Sequence, residues 1–138
     1  GTAGSPGTPL ERLQVIKIWL EGGEVREKVV DVAESPQPDD LDPSTCAAPK
    51  SGSASLCAQW RDEDYDPGVS AIYYARVLEK PSCRWTGHLC AAIGAAVGAD
   101  CTRPSTVPDE YAFCCENAVA KVIRERAITS PIWITTGS

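Results

Sequence analysis

The sequence predicts an α+β or mainly β domain: an antiparallel sheet opened by a β-hairpin, with two or three short helices and long disulfide-tied loops. Three observations carry that reading. Two β-branched runs flank a Gly-Gly turn near the start of the chain. A third run, Ala71 to Leu78, is dense in aromatic and β-branched residues. Seven cysteines stand in 138 residues with one Phe and no Met, so covalent ties supplement a thin apolar core.

Residues 1–9 contain small residues and proline and read as a linker or processed boundary. Residues 10–138 form one disulfide-containing domain. Leu13 to Leu20 puts Ile16, Ile18 and Leu20 on one face of a strand, and Val25 to Ala33 answers it across Gly22-Gly23. Ser35 to Ala58 has no periodicity and reads as a long loop, which needs a tie. Asp66-Pro67 suits the start of a short helical turn. The strand Ala71 to Leu78 follows, ended by Pro81, and its lack of Pro and Gly puts it at the centre of the sheet. His88 to Ala99 has helical spacing, weakened by Gly94 and Gly98. A second helix is expected from Pro108 to about Arg126, with Val119, Val122 and Ile123 as its apolar side. A last strand runs from Ile128 to Thr135.

The cysteines are Cys46, Cys57, Cys83, Cys90, Cys101, Cys114 and Cys115. No Cys-x-x-Cys motif occurs and His88 is the single histidine, so disulfides are favoured over zinc or haem attachment. Connectivity stays open. Cys46–Cys57 and Cys90–Cys101 are the most local candidate pairs, and one cysteine of the seven must be free or bonded elsewhere. Adjacent Cys114 and Cys115 are expected to take two different partners, or one a partner while the other stays a free thiol.

The net charge of −6 argues against nucleic acid and anionic membrane as partners. No apolar run reaches the roughly 20 residues of a membrane span. A cysteine-rich chain without methionine or leader is expected to come from a longer, extracytoplasmic (periplasmic or secreted) precursor.

Candidate sites are few. Asp62, Asp64 and Asp66 imitate the start of a calcium loop, but Pro67 and Tyr73 stand where glycine and glutamate are needed, so a capped acidic turn is the better reading. His88 has no serine elbow beside it. Arg76, Glu79, Arg84 and Trp85 are the densest set of specific side chains and the candidates for a substrate or interdomain contact. Arg76 is expected to meet a carboxylate, a carbonyl or the Trp85 ring. No catalytic residue, metal ligand or cofactor is assigned.

Tyr73 to Trp85 and Glu125 to Trp133 resemble the closing region of a large bacterial secreted family, the one labelled domain of unknown function 3604. The opening hairpin and the Trp-x-Asp-x-x-x-Asp-Pro segment ending at Asp66-Pro67 match in the same order. The resemblance implies a parent similar to PHP-type metal-dependent hydrolases, whose metal motifs lie upstream of this region. It therefore implies a non-catalytic C-terminal segment that packs against or completes the catalytic domain. The alternative is a processed subunit that associates with copies of itself through strand edges or an intermolecular disulfide.

Overall fold

Strands β1 (Leu10–Glu21) and β2 (Glu24–Glu34) form the expected hairpin in the computed structural model, which describes residues 7–136. The linker expectation for residues 1–9 falls mostly outside the described residues. Gly22 and Gly23 both have positive φ, 61° and 84°, as a two-residue turn of this hand demands. β3 (Ala71–Glu79) pairs antiparallel with β1 along its whole length. On its other side it meets β6 (Arg126–Ile128) and β7 (Ile132–Ile134). The order is β2-β1-β3-β6, with β7 also on β3, so β3 is central as expected. The single expected C-terminal strand is split in two because Pro131 has no N–H to give. Thr129 fills the gap: its Oγ1 accepts from the Ala75 amide and its own amide donates to the Ala75 carbonyl.

A second, two-stranded sheet joins β4 (Ser82–Cys83) to β5 (Val122–Ile123). Helix α1 (Trp85–Val97) starts three residues earlier than its periodicity indicates and ends on Gly98 in the left-handed region. Gly87 lies where α1 passes the residue before β5, and a β-carbon there would collide with the Lys121 carbonyl oxygen. The helix expected over residues 108–126 does not form. A 3-10 turn covers Asp109–Cys115, and the β-branched residues beyond it pair as strand β5. Asp66 does cap a turn, accepting from the Gly68 amide, but the turn closes at Val69 without becoming a helix.

Three disulfides join Cys46–Cys83, Cys90–Cys114 and Cys101–Cys115, leaving Cys57 exposed and free. The two local pairings expected from spacing are therefore wrong. Short separation counted for less than topology: β4 carries Cys83 to the long loop, and the 3-10 turn aims Cys114 and Cys115 at different partners. The loop over 35–58 is tied as anticipated, through Cys46, and also by paired hydrogen bonds between Leu10 and Ser53.

The interior is small and half polar. Among the described residues the buried apolar side chains are Leu10, Ile16, Cys46, Ala71 and Cys114, together with Pro49 and Pro81. Glu11, Gln14, Lys17, Lys80 and Thr86 are buried beside them, each with a partner. So thin a core leans on its covalent ties, which are worth about 3–4 kcal/mol each in the chain-entropy account.

Candidate functional site

The sheet register assigns side chains to two faces. Gln14, Ile16, Ile18 and Leu20 of β1 share one face with Ile72, Tyr74, Arg76 and Leu78 of β3. Val25, Val29 and Asp31 of β2, Ile128 and Arg126 of β6, and Trp133 of β7 extend it. Among the described residues no helix packs broadly on this face: α1 packs on the Asp109–Cys115 turn and on β4. Ile16 at its centre is fully buried, whereas Leu20, Val25, Val29, Ile128 and Trp133 around it are exposed, Trp133 to 66%.

Arg76 sits at one end of that face, half-buried, and its Nε donates to Gln14 Oε1 at 2.8 Å. Gln14 passes the contact on, donating from Nε2 to Asp31 Oδ1 at 2.6 Å. The partner is thus a carbonyl oxygen, one of the three expected. Glu79 closes β3, while Arg84 caps and Trp85 opens α1, both exposed. No hydrogen bond or ion pair joins any two of these four among the described residues, so the sequence-selected set is not one site.

The other face carries Val15, Lys17, Trp19, Tyr73 and Ala75, with the segment from Trp60 to Asp66 laid across it. Lys17 Nζ lies 2.5 Å from Asp62 Oδ2 and 2.9 Å from the Asp64 carbonyl oxygen. Tyr73 Oη donates to the same Asp62 oxygen at 2.7 Å. Lys28, opposite Lys17 on β2, pairs with Asp64. Burial works against the Lys17 charge, but the bond from Asp62 and the nearby phenol outweigh it and raise its pKa. Burial likewise opposes ionisation of Asp62, yet Lys17, Tyr73 and the Asp64 amide hold its carboxyl below the ordinary value. Burial, then the bond to Asp62, pushes the Tyr73 phenol up. The acidic run is a set of lysine partners, and among the described residues no group of three His, Cys, Asp or Glu side chains could hold a metal ion.

This cluster floors one side of an open concavity of about 1070 Å³, lined by Val15, Trp60, Tyr65, Tyr73, Ile132 and Ile134 among others. The Trp60 and Tyr73 rings lie 6.2 Å apart, tilted by 53°. Sequence reasoning passed over Lys17 and Tyr73. The available signal was the Trp-x-Asp-x-x-x-Asp-Pro segment, whose first aspartate is Asp62.

No helix among the described residues is long and apolar enough to cross a membrane. No curated protein and no solved structure matches the chain. The model of the family described as "Protein of unknown function (DUF3604)" matches residues 2–136, nearly the whole chain, and the chain belongs to that family.

Proposed function

We propose that this chain is a non-catalytic docking module of a larger secreted protein, packing its bare sheet face against a catalytic domain of the same polypeptide. The exposed stripe of Leu20, Val25, Val29, Ile128 and Trp133 carries this reading. A sheet gains stability by burying a face against another layer, and an apolar stripe left open on so small a core calls for one. The face also indicates what covers it. Arg76 and Arg126 make no ion pair among the described residues, although the chain is acidic. The covering surface is therefore apolar, with carboxylates set against those two guanidiniums.

Face packing is favoured over strand addition because six of the eleven residues of the β2 edge are charged, which discourages pairing. A second copy fits less well, since each copy carries a charge of −6. The three disulfides favour an extracytoplasmic setting. The resemblance of residues 73–85 and 125–133 to the closing region of a family similar to PHP-type hydrolases implies a hydrolytic parent. A single histidine is too few for a multi-histidine metal centre within this chain. The competing reading, a processed subunit that joins its copies, has the exposed Cys57 in its favour.

Intact mass of the native material, combined with hydroxyl-radical footprinting of Trp133, separates the two. A longer polypeptide with Trp133 protected relative to the isolated chain is the expected result. A native species of this chain's own mass with Trp133 fully labelled overturns the proposal.

A further inference from the structure

We infer that the concavity on the opposite face is a binding site for a neutral oligosaccharide. Its walls combine aromatic rings, Trp60 and Tyr65 from the segment laid across the sheet and Tyr73 from the central strand, with the aliphatic side chains of Val15, Ile132 and Ile134. The Tyr73 ring is fixed in place, because its hydroxyl is bonded to Asp62, which is itself held by Lys17. Trp60 packs against that ring. The aromatic surface is thus preformed, as a ligand site usually is.

The rim supplies the second half of the argument. Arg61 and Glu63 alternate with the wall residues, both are exposed, and neither bonds to another described residue. Lys17 and Lys28, by contrast, are matched to the carboxylates of Asp62 and Asp64. The site therefore offers unused donors on a guanidinium and unused acceptors on a carboxylate beside aromatic faces. A sugar ring presents both requirements at once: hydroxyls that donate and accept, and C–H faces that lie on aromatic rings. The concavity is open to water on one side, which suits a ligand that keeps part of its hydration.

Charge narrows the class. Glu63, Asp64 and Asp66 stand around or next to the site on a chain of net charge −6, which repels sulfated or uronic polymers. A purely apolar ligand would leave Arg61 and Glu63 without a role and half its own surface in water.

The test is a printed array of neutral glycans, polyanionic glycans and peptides probed with the 138-residue chain. The best neutral oligosaccharide is then titrated against intrinsic tryptophan fluorescence. Binding to neutral glycans is expected. Trp60→Ala should weaken it by about tenfold or more, and Trp60→Phe by less. Arg61→Ala and Glu63→Gln should each weaken it about three- to tenfold, and Trp133→Ala on the other face should leave it unchanged. Thermal unfolding of each variant separates lost binding from lost fold. No neutral-glycan signal above background, a preference for polyanions or peptides, or a wild-type affinity in folded Trp60→Ala overturns the inference. Because Trp133 is the control, its result does not depend on what covers the bare face.

Discussion

Lys17 and Asp62 form an ion pair at 2.5 Å although 45 residues separate them, and each side chain is only 8% exposed. The pair pins the acidic segment to the central sheet. Breaking one side strands the other charge away from water, the costly case for buried pairs. Asp62→Ala should destabilise the domain by about 3 kcal/mol, read as a shift in denaturant midpoint at unchanged slope. The double replacement Lys17→Met with Asp62→Leu should recover most of that loss, since neither charge is then left alone. A double variant no better than Asp62→Ala would count against the pairing.

The same pair gives the acid limb of stability its sign. The Asp62 carboxyl is held below the ordinary 3.8 in the folded state, so its contribution is fully present above that value and lost as pH falls through the folded-state pKa. Lys17 runs the opposite way. Its raised pKa keeps its contribution intact below 10.5, to be lost only as pH climbs past the folded-state value. Asp62→Asn should lower stability at neutral pH and flatten the fall below about pH 3.8. Urea midpoints measured from pH 2 to pH 7 check this; equal slopes for both proteins on the acid side would contradict it.

Non-reducing peptide mapping should recover Cys46–Cys83, Cys90–Cys114 and Cys101–Cys115, with one alkylatable thiol at Cys57. Reduction should unfold the domain at moderate temperature, because so few buried apolar side chains replace little of what three cross-links contribute. Recovery of Cys46–Cys57 would overturn the topology at β4.

Arg76→Ala in the isolated chain should cost about 1 kcal/mol, not the several expected for a buried carboxylate partner, because Gln14 is neutral and keeps its bond to Asp31. Chemical denaturation measures it. A loss above about 3 kcal/mol would mean that Arg76 compensates a buried charge after all.

The sheet was legible in the sequence because its cues are local. Gly22-Gly23 sets the turn, and the uninterrupted run from Ala71 to Leu78 sets the middle strand. The disulfides were not legible, since Cys83 reaches Cys46 through the pairing of Ser82-Cys83 with Val122-Ile123, a contact with no signal beyond two β-branched residues. The helical reading of 108–126 failed for a related reason. The spacing of Val119, Val122 and Ile123 suits one face of a helix, whereas two cross-linked neighbours, Cys114 and Cys115, hold the backbone in a tighter turn. The Lys17–Asp62–Tyr73 cluster was half legible. Register puts Lys17 opposite Tyr73 once β1 and β3 are paired, but no local pattern says that residues 60–66 fold back over them.

The bridges from Cys90 to Cys114 and from Cys101 to Cys115 interleave along the chain. A protease that cuts the backbone anywhere from Ala91 to Phe113 therefore releases nothing, since Cys90 stays bonded to Cys114 across the break. Such a scar stays invisible to size separation until a reductant is added. In a protease-rich environment this segment could change sequence freely at its surface and still hand down an unbroken particle, with its history recorded only in hidden chain ends.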